Sequence, residues 1–262
     1  MLEKWYSTIE LPLTFGQFEQ LPQNPAYKYE YFDGHAWITP RPKSYHALLD
    51  LRSFVRPIRD IATKEEILVR PLADDDWSRL PKVLSAAFQR VQPFASLADE
   101  TRLEAAQDCL RQTKEEGEGP LVADACLVAT VRSDSTLVGA LLTTLLPSGD
   151  PSDWDSWRWS DAPPPDAVAR RMGRPHLTWV FVSPWLARQG VGMALLDEAV
   201  RALMRLGYLE LASTFLLGNE SSTLWHWRAG FRCLPYPGSM RVIREQVTRE
   251  GRVDAKTIPP AP

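Results

Sequence analysis

Cysteine is scarce in this chain of 262 residues: Cys109, Cys126 and Cys233 are all there is. They are odd in number, far apart and without the paired spacing of a zinc site. That pattern excludes a disulfide framework and a cysteine-based metal centre, and it fits a reduced, cytoplasmic setting. Long apolar runs are missing too. The longest, Leu137 to Leu146, is interrupted by Gly139, Thr143 and Thr144 and is too short to span a bilayer. The start, Met1 to Trp5, lacks a basic segment followed by an apolar one, so no secretory leader is expected. There is no excess of positive charge: the net formal charge is −3, and no broad nucleic-acid surface is implied. The two commonest phosphate loops are absent as well. No G-x-x-x-x-G-K-[ST] occurs, and Gly192 is followed at the third position by Leu195, which rules out G-x-G-x-x-G. What remains is an ordinary globular composition, 44% hydrophobic and 24% charged. It suffices for one large core and a small extra module.

The most informative stretch runs from Val182 to Leu196. A β-favouring apolar run, His176 to Val182, ends in Ser183-Pro184. A short loop with Gly190 and Gly192 follows, and then an amphipathic helix. Glycines let a backbone approach a ligand closely and turn several N–H groups the same way. A helix start adds unpaired N–H groups and the positive end of its dipole. Strand, glycine turn and helix N-terminus together suit a pyrophosphate. A second block, Asn219 to Phe231, follows the strand Leu209 to Leu217.

Residues 1–63 form a unit by composition, with Trp5, Tyr6, Phe15, Phe18, Tyr27, Tyr29, Tyr31, Phe32 and Trp37. That is too aromatic for a disordered tail. Thr14 caps a predicted short helix, and Tyr27–Phe32 with His35–Thr39 reads as a hairpin turned by Asp33-Gly34. Downstream, Ile67 to Pro71 reads as a strand. A helix follows Asp74-Asp75-Asp76, and another runs from Ala98 to Gln112. Ala125–Val131 and Thr136–Leu146 read as an antiparallel pair. Residues 147–175 form an insertion with Trp154, Trp157 and Trp159, several aspartates and Pro163-Pro164-Pro165. It reads either as a flap over a sheet edge or as a lid on an acceptor site. The tail, 246–262, is charged, then proline-rich, and is expected to fray.

The two blocks resemble those of the GCN5-related N-acetyltransferases. Val182, Pro184, Gly190 and Gly192 match V-x-P followed by [QR]-x-x-G-x-[GA], with Ala187 at the [QR] position and Arg188 beside it. Asn219, Gly230 and Phe231 match N-x-x-A-x-x-L-Y-x-x-x-G-F, with Ser222 for Ala, Trp225 for Leu and His226 for Tyr. The resemblance covers roughly residues 66–245. It implies an α/β (α+β) fold: a mixed, mostly antiparallel sheet flanked by helices, here with a small N-terminal extension. The opening of that extension, with Glu30, Asp33 and Gly34, faintly resembles the Uma2-type nucleases. The later acidic and lysine residues of such nucleases have no counterpart, so the segment is expected to be a non-catalytic add-on.

The resemblance implies an acetyl-CoA-dependent enzyme that passes an acetyl group directly to a primary amine on a small molecule or peptide. No metal is implied, no nucleic acid or membrane partner, and a monomer or homodimer. The CoA site is expected at Phe181, Val182, Ala187, Arg188, Gln189, Gly190, Val191, Gly192, Met193, Ala194 and Asn219, mainly through backbone amides. The family's tyrosine protonates the departing thiolate, and its place is taken by His226, which either donates that proton or packs between Trp225 and Trp227. His176 falls where some members keep a glutamate base, and is otherwise a residue of the surface. Trp154, Trp157, Trp159 and Trp179 are the expected acceptor walls. Two other readings stay open: transfer of a larger acyl group, and a non-catalytic CoA-binding or protein-interaction module.

Overall fold

The computed structural model describes residues 7–24, 26–41, 44–55, 65–149, 159–216 and 218–234. The tail 246–262, Trp154 and Trp157 lie outside the described residues. Among the described residues the strands form two sheets, one of three strands and one of seven.

The small sheet follows from local chemistry. Thr14 and Gln17 make a reciprocal capping box at the start of α1 (Phe15–Glu19): Thr14 Oγ1 accepts from the Gln17 amide at 3.3 Å, and Gln17 Oε1 accepts from the Thr14 amide at 2.9 Å. β2 (Tyr27–Phe32) and β3 (His35–Pro40) form the expected hairpin, and β1 (Ile9–Pro12) adds to β3. Both turn residues have positive φ, Asp33 at 49° and Gly34 at 78°, as a tight type I′ turn requires.

The large sheet holds β10-β4-β9-β8-β7-β6-β5 in that order, where β4 is Ser44–Asp50, β5 Ile67–Pro71, β6 Leu127–Val131, β7 Leu137–Pro147, β8 Gly173–Val182, β9 Glu210–Leu216 and β10 Arg232–Cys233. All neighbours are antiparallel except β8 and β9. α2 (Leu80–Ala87) and α3 (Asp99–Lys114) cover one face, where Leu84, Ala106 and Leu110 meet Val128, Leu142, Trp179 and Phe181. α4 (Val191–Arg205) covers the other, where Leu195, Leu196 and Val200 meet Leu141, Leu145 and Leu177. α5 (Glu220–Arg228) packs beside β9. The fold is thus the expected mixed, mostly antiparallel sheet between helices. No helix among the described residues is long and apolar enough to cross a membrane.

One strand departs from the expectation. By composition Ser44–Asp50 belongs with the N-terminal unit 1–63, yet it lies inside the large sheet between two strands from the far end of the chain. It pairs over seven residues with β9, from Ser44↔Leu216 to Asp50↔Glu210, and then with β10 at Ala47 and Leu48. Ala47, Leu49 and the following Leu51 are in the core, at 0%, 1% and 1% exposure. Burial of each leucine favours the fold by about 1.5–3 kcal/mol. A boundary at residue 63 therefore cuts through the core. The segment that leads into β2 also approaches the end of β9. Gly218, with φ +87°, carries its backbone so close to Asn24 and Ala26 that an added Cβ would clash with Asn24 Oδ1.

Candidate active site

The site begins where β8 leaves β9. These two parallel strands pair only at His176↔Ala212 and Leu177↔Ser213, although both run on toward Val182 and Leu216. A bulge lies at this point. On β7, Leu142 and Thr143 are consecutive, but their partners are Trp179 and Leu177, so Thr178 is an extra residue. A bulge bends its strand, and here the bend coincides with the parting of β8 from β9. The Ser183 amide bonds back to Val138 on β7 at 2.7 Å. Strand alternation then turns the amides of Val180 and Val182 away from β7, into the opening toward β9. A cleft of about 1950 Å³ follows this opening from the α4 N-terminus through to the α2–α3 side of the sheet.

The expected loop forms one end of the cleft. Gly190 caps α4 with φ +90°, and Arg188 before it has φ +65°. Of the amides expected to hold a phosphate, those of Gln189, Met193 and Ala194 are already bonded to Leu186 or Gly190 carbonyls. The amides of Arg188, Gly190, Val191 and Gly192 have no acceptor among the described residues. Gly192 faces Trp225: an added Cβ would lie 3.1 Å from the indole Nε1. That Nε1 is buried and lacks an acceptor among the described residues. A buried N–H without a partner is costly, and beside free helix amides it is suited to an anionic or carbonyl oxygen. Ala187, Arg188 and Arg228 line this end. Asn219 also lines it, but its side chain is spent as the cap of α5, accepting from the Ser222 amide at 3.1 Å.

Three histidines gather near the fork. His176 stands at the floor of the cleft, half-buried. Its Nδ1 is 3.0 Å from Thr178 Oγ1 and its Nε2 3.1 Å from Thr214 Oγ1. Thr178 in turn bonds Thr144 across to β7 at 2.8 Å. His46, cross-strand from Thr214, lines the same floor and is buried. Burial pushes the pKa of His176 down to about 3, with further lowering from His46 and His226, and that of His46 to about 4.

His226 differs from the proton donor expected at its position. Its Nδ1 is 2.8 Å from the Ser222 carbonyl oxygen, which can only accept, so Nδ1 carries the proton. Nε2 then accepts from Ser213 Oγ at 2.8 Å. The ring stacks on Phe215 at 4.2 Å and meets Trp225 and Phe231 edge-on, while Trp227 is 73% exposed. Burial holds its pKa down to about 4. It is a neutral imidazole whose only proton is already committed to a main-chain oxygen.

Comparison with known proteins gives a likeness in chain course only. A GCN5-related N-acetyltransferase from Sphaerobacter thermophilus is similar at 14% identity and a TM-score of 0.43; the match covers 87% of this chain and 57% of that one. The PaiA N-acetyltransferase of Thermoplasma acidophilum, solved with coenzyme A, is similar at 15% identity and 0.41, over 62% and 87%. A GNAT family acetyltransferase from Brucella melitensis, solved with acetyl-CoA, is similar at 20% identity and 0.40, over 66% and 89%. No family model and no curated protein matches the sequence.

The other end of the cleft, on the α2–α3 side, is walled by Phe88, Phe94, Trp159 and Trp179. Trp179 donates from Nε1 to Thr113 Oγ1 at 2.9 Å, and Trp159 from Nε1 to the Leu145 carbonyl at 2.7 Å. Two of the four expected acceptor tryptophans thus line the cleft; Trp154 and Trp157 fall outside the described residues. Sequence reasoning missed His46, whose strand was not recognised, and Glu118. The latter sits in Glu115-Glu116-Gly117-Glu118-Gly119-Pro120, which carries only the signature of a helix end.

Proposed function

We propose that this chain is an acetyl-CoA-dependent N-acetyltransferase acting on a primary amine by direct attack in a ternary complex. The observation that carries this reading is the fork itself. One continuous cleft joins four free amides at a helix start to the inward-turned amides of Val180 and Val182, and then to an aromatic chamber. The free amides, the Trp225 Nε1–H and the guanidinium groups of Arg188 and Arg228 fit a pyrophosphate. The unpaired edges of β8 and β9 fit an extended, amide-bearing chain laid between them. When bound, acetyl-CoA supplies an electrophilic thioester carbon.

The residues' own contributions follow from their positions. The Val182 amide, with Phe181 turned the other way onto β7, offers a fixed donor to a carbonyl oxygen in the fork, where a preorganised dipole is worth more than in water. His176 is held neutral, so it can accept a proton, and its hydrogen bonds to Thr178 and Thr214 lead that proton along hydroxyls toward solvent. A base held at about 3 is weak, so its role is relay and orientation of an amine that arrives neutral. His226 orders the α5–β9 contact, and water in the cleft is the proton source for the departing thiolate.

The locked His226 also favours a second reading, a CoA-binding module without turnover. Calorimetry with CoA and a thiol-release assay over an amine panel separate the two. Binding with turnover supports the transferase, and binding with none across the panel supports the module. No binding of CoA overturns both.

A further inference from the structure

The cleft borders a hydroxyl and an imidazole that direct transfer to an amine leaves unused. Ser213 Oγ donates to His226 Nε2 at 2.8 Å, and His226 Nδ1–H is held by the Ser222 carbonyl at 2.8 Å. A hydroxyl within hydrogen-bond reach of a base whose far nitrogen is fixed by a third group has the geometry of an activated nucleophile. Here a main-chain carbonyl fixes the tautomer where a triad has a carboxylate. The ring is clamped as well, stacked on Phe215 and met edge-on by Trp225 and Phe231, each of these two at 4.9 Å. Ser213 also stands at the vertex of the fork. Leu177↔Ser213 is the last rung that β8 and β9 share before they part. Ser213 and His226 both line the cleft, at 1% and 3% exposure, so the pair is shielded from bulk water. The Val180 amide, nearer to the vertex than that of Val182, is turned into the fork as a donor for an oxyanion. Burial keeps the imidazole neutral, with its pKa down to about 4, so Nε2 is free to take a proton at pH 7, though so weak a base makes the step slow.

We propose that Ser213 is an acyl-accepting nucleophile with His226 as its base, giving this chain a second activity: hydrolysis of an acyl-CoA thioester when no amine occupies the cleft. Ser213 Oγ attacks the thioester carbon and passes its proton to His226 Nε2. The carbon–sulfur bond breaks, sulfur leaves with the electron pair, and Nε2 returns the proton to it, giving free CoA and an acyl ester on Ser213. Water then attacks the ester carbon, Nε2 takes the water's proton and hands it to Ser213 Oγ, and the carboxylic acid departs. The sum is acyl-CoA plus water giving carboxylic acid plus CoA, with no redox change and no further reactant. The inference rests on the CoA reading of the cleft but not on transfer to an amine.

Acetyl-CoA supplied without any amine tests this, with thiol release, acetate formation and peptide mass spectrometry after acid quenching as readouts. The wild type is expected to release thiol and acetate in equal amounts. Ser213→Ala and His226→Phe should each lower both rates on the order of 100-fold, with CoA affinity by calorimetry kept within about threefold. Ser213→Cys retains a nucleophile of similar size and should carry the acetyl group at that position. p-Nitrophenyl acetate needs no recognition of CoA; it should release nitrophenol with the wild type and far more slowly with Ser213→Ala. Acetate release that Ser213→Ala leaves unchanged, no release by a wild type that binds CoA, or no acetyl group at the substituted position in Ser213→Cys overturns the proposal. Failure of the CoA reading shows separately, as absent CoA binding; the p-nitrophenyl ester then decides the role of Ser213, and nitrophenol release equal in wild type and Ser213→Ala overturns it.

Discussion

Acidification is expected to unfold this protein well above the pH at which its carboxylates titrate. His46, His176 and His226 are neutral in the folded state because burial lowers their pKa values to about 4, 3 and 4. In the unfolded chain each returns to a value near 6.5. The unfolded state therefore takes up protons first, and stability falls as pH drops below 6.5 and continues to fall toward 4. Each histidine contributes a slope of up to about 1.4 kcal/mol per pH unit, so the three together approach about 4 kcal/mol per unit. At pH 5.5 the summed loss is about 4 kcal/mol, against a typical total of 5–15 kcal/mol. The lowered pKa values of Asp50, Asp76 and Asp134 act in the same direction but at lower pH, since their stabilisation is lost only as pH falls below the ordinary carboxylate value near 4. Urea unfolding followed by circular dichroism from pH 7.5 to 4.5 measures the effect. His226→Phe keeps an aromatic ring against Phe215 but removes one titrating group, and should reduce the slope by about a third. A flat stability from pH 7.5 to 5, or a slope that His226→Phe leaves unchanged, would refute the argument that these imidazoles are buried neutral.

The remaining predictions concern the site and the strand order. Gly190→Asp places a carboxylate, at a residue with φ +90°, among the free amides before α4; CoA affinity measured by calorimetry should fall more than tenfold, about 1.4 kcal/mol or more. Gly192→Val crowds Trp225 Nε1 and should weaken CoA binding with the far-ultraviolet spectrum retained; unaltered affinity would remove the loop from the binding site. His226→Phe should change turnover by less than about threefold and leave the pH–rate profile in place, and a loss near 100-fold would restore the general-acid role. Leu49→Ala in β4 should cost about 2–5 kcal/mol in urea unfolding, and a chain lacking residues 1–63 should not fold; a stable truncated protein would show that β4 is dispensable.

Much of this protein is legible one segment at a time. The capping box at Thr14, the Asp33-Gly34 hairpin, the helix over Asp99–Lys114 and the strand–glycine–helix passage from Val182 to Leu196 follow from side chains within a few residues of one another. Local hydrogen bonding and periodicity suffice for such elements. The anion end of the cleft belongs to this class, because a helix start and its free amides are built from consecutive residues. The placement of β4 does not. Ser44–Asp50 is a short run whose partners, Glu210–Leu216 and Arg232–Cys233, lie far along the chain, and no local signal specifies a pairing across that distance. The fork depends on one extra residue, Thr178, in register with β7, which only the paired strands reveal. His226 occupies the position its motif assigns, yet its chemistry is decided by Ser213 on another strand and by the Ser222 carbonyl. Glu118 joins the cleft wall only because Thr113 and Trp179 meet it in space. Spacing along the chain determined which backbone could bind a phosphate; tertiary packing decided which side chains keep their protons.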